Sequence, residues 1–429
     1  MASHLDAPRP TAPAQQPVLG ATGEAFPPAE ARAARTAEAA QRLAWRVLTA
    51  AFAIWLALAG GAGLGLVHWV QTATVGAPAT LHVQQGMVLF RERDGAPLQP
   101  ARDGLPVLEG DLLEVTDGAL AEIVLPDTGR LSLGPGTRLR VRDLRAGRFN
   151  PSMARVAFQH LAGTIRLQVE TEHQQAPSVE TPYGTVAMAP GDYLIAVQGR
   201  EALALVRAGE ARVSVGADTR PLRAGQRIHL AAGAPADGPY DGAPNLVRNG
   251  DFHDGLAAWQ PHDELERTPR LDRGGEREVV STEIGERQTT ALRVWRTSLL
   301  QTHNETGVMQ EINADVAVYP EVRLSALVRV HYASLSGGGY LGTEYPAMLR
   351  LHYRDAAGNG RTWVHGFYYQ NPEERPVERG SQIPRDTWVR FEVDLAELRP
   401  RPITIYALEV LGAGHDFDAA ITDVQLVAR

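Results

Sequence analysis

Residues 81–90 read LHVQQGMVLF, with apolar side chains recurring at every second position on either side of Gly86. The same beat continues in DLLEV (111–115), LAEIVL (120–125), RLSLG (130–134) and TRLRVRDL (137–144), each run closed by a turn signal. Further on come VAFQHLAGTIRLQVE (156–170), VETPYGTVAM (179–188), APGDYLIAVQ (189–198), EALALVRAGEARVSV (201–215) and LRAGQRIHL (222–230). A period of two puts one set of side chains on a buried face, and short strands at regular spacing build a sandwich, barrel or roll. The dipeptides Asp94-Gly95, Asp103-Gly104 and Asp117-Gly118 supply the positive-φ positions that tight connections need. An all-β domain is therefore expected over residues 80–232.

The wider composition agrees. Gly (42) and Pro (29) are plentiful in 429 residues, and 21% of the chain is charged. There is no cysteine, and all 42 basic residues are arginine. That excludes disulfides, thiolate metal sites, cysteine nucleophiles, Schiff bases and a Walker-type phosphate lysine. A net charge of −8 speaks against a nucleic-acid binder. The length suits two or three domains.

Upstream, Val47 to Val67 is 21 residues without a charge, about 31 Å as a helix and so matched to a hydrocarbon core. Trp45 and Trp69 stand at its ends, as interfacial rings do. Arg32, Arg35, Arg42 and Arg46 precede it, and no charged residue follows until Arg91. A transmembrane helix over 47–69 is expected, with residues 1–46 a cytoplasmic leader and the bulk of the chain extracytoplasmic. The leader is Ala/Pro-rich and expected to be disordered, becoming helical near the membrane. Gly61 and Gly65 have the spacing that lets two such helices pair as a homodimer.

The order of the β elements resembles the FecR protein domain of bacterial envelope sensors. Leu108-Glu109-Gly110-Asp111-Leu112-Leu113, Gly118-Ala119-Leu120-Ala121-Glu122-Ile123, Leu131-Ser132-Leu133-Gly134-Pro135 and Leu161-Ala162-Gly163-Thr164-Ile165 carry the likeness. So do Val179-Glu180-Thr181-Pro182-Tyr183-Gly184-Thr185-Val186, Val206-Arg207-Ala208-Gly209-Glu210-Ala211 and Leu222-Arg223-Ala224-Gly225-Gln226. Pro126-Asp127-Thr128-Gly129 stands where the family usually has an Asp-Gly-Ser turn, and the leader is too short for the family's sigma-factor-holding module.

A Gly/Pro/Asp stretch over 233–244 reads as a linker. Beyond it, Asn249-Gly250-Asp251-Phe252 … Gly255-Leu256-Ala257-Ala258-Trp259 and the closing Ala420-Ile421-Thr422-Asp423-Val424 resemble the galactose-binding-like jelly roll of carbohydrate-binding modules, spanning 245–429. The fold class expected is mainly β: one N-terminal transmembrane helix, a FecR-like all-β domain and a C-terminal β-sandwich jelly roll.

Sugars stack on aromatic rings and hydrogen-bond to planar polar groups. Tyr353, Trp363, His365, Tyr368 and Tyr369 flank a Gly-Asn-Gly turn with Arg361 nearby, and alternation puts Trp363 and His365 on one face. If that face is the concave one, a ring platform results; otherwise it is an ordinary sheet face. Tyr340, in a glycine-rich loop ending at Tyr345, is a candidate to close over a ligand. Trp259 and Trp388 fall at core positions of such folds. The resemblance also implies a structural calcium ion near the joined chain ends, held by Asn249, Asp251 and Asp423, although His253 replaces an acid usual there. No other cofactor is implied. Acid pairs Asp263-Glu264 and Glu373-Glu374 sit in polar stretches, the histidines lack metal-ligand spacing, and no catalytic motif is present, so no enzyme is expected. The expected function is a membrane-anchored receptor or scaffold that binds a glycan or an envelope protein, with no nucleic-acid partner. The alternatives are a FecR-type signal transducer whose jelly roll contacts protein, and a polysaccharide-active enzyme.

Overall fold

The computed structural model describes residues 29–93, 96–265 and 273–429. Most of the leader and the Asp94-Gly95 turn lie outside the described residues. The chain divides into two units, Met1–Gln71 and Thr72–Arg429.

The described residues of the first unit lie in a helix that runs Ala29–Thr72. Its portion Ala39–Thr72 includes an 18-residue stretch of mean hydropathy 1.9 and is long and apolar enough to cross a membrane.

The described residues of the second unit are mainly β, with two short 3-10 turns at Pro151–Met153 and Leu395–Glu397. Its strands from Thr74–Gly76 to Asp237–Asp241 close into one barrel-like body. The strand Arg155–Val169 belongs to both halves: its start pairs with Arg138–Gly147, and its end pairs with Gly129–Leu133 and Gly191–Gln198. The strand can turn the corner because residue 163 is glycine. Gly163 has φ +86°, and a Cβ there would stand 2.5 Å from Thr137 Cα. Inward residues such as Leu113, Ile123, Leu131, Phe158, Ile165 and Tyr193 fill the core. Strand Asp237–Asp241 corrects the expected linker, since it pairs with Gln226–Ala231 and belongs to this body. Pro239 is tolerated on a strand with a partner on one side only, and the Tyr240 ring packs on Arg227 and His229.

Residues 245–429 form two antiparallel-dominated sheets face to face. The six-stranded sheet runs Gln260–Leu265, Asn304–Asp315, Pro402–Gly414, Ala347–Asp355, Gly360–Tyr368 and Gly380–Gln382. The five-stranded sheet runs Glu276–Ile284, Arg287–Arg296, Phe417–Ala428, Val322–Ala333 and Val389–Asp394. Side chains such as Leu292, Leu324, Val328, Leu349, Leu351 and Val410 meet between them. The opening phrase pins the chain start: the Phe252 and Trp259 rings stack at 5.4 Å, and Trp259 Nε1 donates to the Asn249 carbonyl at 2.9 Å.

The two β bodies share buried apolar contacts. Leu194 and Leu205, on the outer face of the first, belong to the same buried cluster as Val316, Val318 and Tyr319 of the second. Beside this seam lies a cleft of about 430 Å³ lined by Asp117 and Gln198 on one side and Asn313, Asp315, Arg354 and Tyr406 on the other.

Candidate functional site

Strand register decides which face each sequence-predicted ligand residue occupies. Leu349 pairs with His365 and Leu351 with Trp363, so these rings lie on the side that packs against the five-stranded sheet. That corrects the expected platform: the Trp363 face is core-facing, not the open face. His365 is sandwiched, with its ring 5.9 Å from Trp363 and 4.3 Å from Phe391, and Nε2 is 2.9 Å from Ser381 Oγ. Burial pushes its pKa down to about 4, so it is a neutral packing ring at pH 7. Tyr353 is 5% exposed and its hydroxyl donates to the Pro400 carbonyl at 3.0 Å. Arg361 Nε is engaged by the buried Asp355 carboxylate at 2.7 Å. Tyr369 is half-buried under the Arg385 guanidinium. Trp388 is also half-buried rather than core, with Arg329 4.7 Å from its ring.

Tyr368 lies on the opposite, outer face of the sheet, where it is buried with Tyr345, Met348, Leu411 and Ala413. Tyr345 is fully buried as well, so it is a fixed plug and not a closing loop residue. Its ring lies on the bare backbone of Gly366, where a Cβ would come within 1.9 Å of Cγ. Of the predicted aromatic residues Tyr340 is the open one, 86% exposed. It borders a cavity of about 390 Å³ with Thr343, Glu378 and Arg379, and Arg375 lies 5.8 Å from its ring.

Beside the Tyr345 plug, the outer face carries a polar cluster that sequence reading missed. Arg350 donates from Nη2 to Glu305 Oε1 (2.6 Å) and from Nη1 to Glu305 Oε2 (2.8 Å) and Glu409 Oε2 (3.0 Å). His352 Nε2 hydrogen-bonds Glu409 Oε1 at 2.8 Å. His262 Nε2, buried and without a hydrogen-bond partner among the described residues, stands 3.8 and 3.9 Å from the two carboxylates. His303 links this cluster to the Tyr340 loop, with Nδ1 2.8 Å from Glu344 Oε1. Burial pushes the Glu409 carboxyl up, but the His352 hydrogen bond and the charges of Arg350 and His262 outweigh it and hold the group below the usual range. Arg350 is likewise desolvated, which lowers its pKa, yet the two glutamates raise it overall. The cluster is thus a locked set of acceptors and donors suited to paired hydroxyls. Its members come from four strands, and the one linear hint is a charge inside an apolar run, Leu408-Glu409-Val410.

The expected calcium ligands do not form a cation site. Asp423 Oδ2 faces two guanidiniums, Arg287 and Arg390, each at 3.4 Å. Asn249 turns its amide nitrogen to the Gly255 and Ala257 carbonyls, and its oxygen accepts from the Asp254 N–H. These side chains brace the turn around Asn249 (φ +50°) and do not fit the ion.

Residues 111–212 match the family described as FecR protein. No curated protein matches the chain. Among solved structures, a chain described as an anti-sigma factor, from Parabacteroides distasonis ATCC 8503, is 16% identical over 30% of this chain, with a TM-score of 0.26. The match spans 59% of that chain, less than two thirds of its length. The family 11 carbohydrate-binding module of a Clostridium thermocellum cellulosomal cellulase is 14% identical over 44% of this chain and 95% of its own, with a TM-score of 0.26. The enzymatically active domain of bacteriophage CBA120 tailspike protein 4 is 12% identical over 43% of this chain and 21% of its own, with a TM-score of 0.28. The chain thus carries a FecR domain, matched over residues 111–212, followed by a two-sheet jelly roll.

Proposed function

We propose that this protein is a non-catalytic, membrane-anchored receptor of the cell envelope, with its N-terminus in the cytoplasm and both β bodies outside. Its jelly roll takes a glycan on the outer face of the six-stranded sheet. The observation that carries this reading is the Glu305–Arg350–Glu409–His352 cluster next to His262 Nε2, which has no hydrogen-bond partner among the described residues; the open Tyr340 ring belongs to the loop whose Glu344 meets His303. Vicinal hydroxyls can bridge such donors and acceptors while a sugar ring stacks on Tyr340. The lowered Glu409 pKa supports a binding role, because a general acid of glycoside cleavage needs a raised one. The FecR domain, sharing buried side chains with the jelly roll at Leu194 and Leu205, would pass on the engagement. Gly61 and Gly65 offer a close-packing face should two anchor helices pair.

The test uses the full chain in nanodiscs on a glycan array, followed by calorimetry with the best glycan. Tyr340→Ala is expected to weaken binding about tenfold, the worth of one stacking contact, without moving the unfolding midpoint. Equal affinity in the variant, or an array with no signal, would remove the glycan reading. A second reading, in which the jelly roll holds an envelope protein, is favoured by the exposed Leu299, Leu300, Tyr340 and Leu341. Cross-linking from position 341 to protein, with the array silent, would select it.

A further inference from the structure

A cavity of about 640 Å³ lies on the FecR-bearing body. Its walls include Arg93, Arg140, Arg142 and Arg145, against one acid, Glu109. That concentration of positive charge stands out in a chain with a net charge of −8. Three of these arginines, Arg140, Arg142 and Arg145, come from one strand, Arg138–Gly147. Leu139 and Val141 point into the core, so Arg140 and Arg142 point outward. The register then slips at Arg142, where Ala157 pairs with Asp143 and Phe158 with Val141. This bulge resets the alternation: Leu144 returns to the core and Arg145 joins the outward arginines.

Arg142 and Arg145 are held loosely. Arg145 Nε lies 3.4 Å from Glu109 and from Asp143, and Arg142 Nε lies 3.7 Å from Glu180, with all but Asp143 between 43% and 50% exposed. Ion pairs of that length and exposure are worth little and exchange readily for a better anion. Guanidinium forks match the several oxygens of a phosphate group. Gly76 and Ala77, on the same wall, follow the last residue of the apolar helix, Thr72, by four and five positions.

We propose that this groove is an oxyanion site that receives the phosphate of an anionic lipid headgroup at the surface of the membrane in which the chain is anchored. The choice of lipid over a free phosphate rests on the anchored reading given above. Such a contact would hold the FecR domain against the bilayer independently of any glycan.

The experiment titrates the full chain, in an uncharged polyoxyethylene detergent at low salt, with dihexanoyl-phosphatidylglycerol and, separately, with inorganic phosphate. The lipid is expected to bind, Arg142→Gln to weaken it about tenfold, and Arg140→Gln/Arg142→Gln to weaken it further. Arg390→Gln, the same charge change on the jelly roll, is expected to leave it unchanged. Arg142 is exposed, so an unaltered unfolding midpoint will show that its loss acts on binding. Equal lipid affinity in the wild type and Arg142→Gln would overturn the site. Inorganic phosphate binding as tightly as the lipid would overturn the lipid as its occupant. Cell fractionation reports on the anchor separately, so failure there is distinguishable from failure of the groove.

Discussion

Arg350→Met is expected to destabilise the jelly roll by about 3–5 kcal/mol at pH 7, the cost of removing one partner from a buried charge cluster. Arg350 supplies three hydrogen bonds to Glu305 and Glu409, whose side chains are 8% and 4% exposed. Methionine fills similar volume but leaves two carboxylates facing each other with only histidines nearby. The pH dependence has a definite sign. In the wild type Glu409 is held below its ordinary range, so its contribution is present above the unfolded pKa and lost as pH falls through the folded one. In the variant the part of that lowering due to Arg350 is lost and Glu409 moves toward protonation, so the deficit should shrink from pH 7 to pH 5. Urea unfolding of both proteins at the two pH values measures this. A deficit below 1 kcal/mol, or one that grows in acid, would show that the cluster is not the charge-locked unit described here.

The contrast between this cluster and Trp363 shows what one sequence can and cannot tell. Period-two alternation correctly pairs Trp363 with His365 on one face, because alternation is a property of the backbone. Which face meets the other sheet is a property of register, and Leu349 and Leu351 settle it only once strands 347–355 and 360–368 are paired. The FecR-type strands are legible because one side of each is buried and one is wet. Tyr193-Leu194-Ile195 and Ala204-Leu205-Val206 break that rule, and the break itself was the available sign that the outer face is covered. Glu305, Arg350 and Glu409 come from strands far apart in the chain and meet only in the folded sheet. The resemblance points to Asn249, Asp251 and Asp423 near the joined chain ends, but nothing linear reveals that Arg287 and Arg390 claim Asp423 first.

Raising the pH from about 4 to about 7 is expected to weaken the seam between the two β bodies, through Asp315. This residue lies in the seam cleft, accepts a hydrogen bond from Thr404 Oγ1 at 3.0 Å, and faces Asp117 of the FecR-bearing body. Desolvation raises its pKa first and Asp117 adds to it, against the Thr404 hydrogen bond, bringing it to about 7. Arg354 lines the same cleft, and Tyr319, also pushed up by burial and by Asp315, packs behind it. The folded protein therefore binds a proton that the unfolded chain releases near 3.8, so stability falls across that window and levels off above it. A shift of this size is worth about 4 kcal/mol at full extent. Asp315→Asn keeps an oxygen for Thr404 and cannot ionise, so it should flatten the slope and exceed the wild type in stability at pH 8. Asp117→Asn should move the wild-type transition to lower pH. Hydrogen exchange at Leu194 and Leu205, followed from pH 4 to pH 8 after correction for intrinsic rates, locates the effect at the seam. A slope that survives Asp315→Asn would mean another group controls it. If the slope does vanish, the apolar contact at Leu194 and Leu205 is what holds the bodies together, and one carboxyl facing another sets how firmly it can do so.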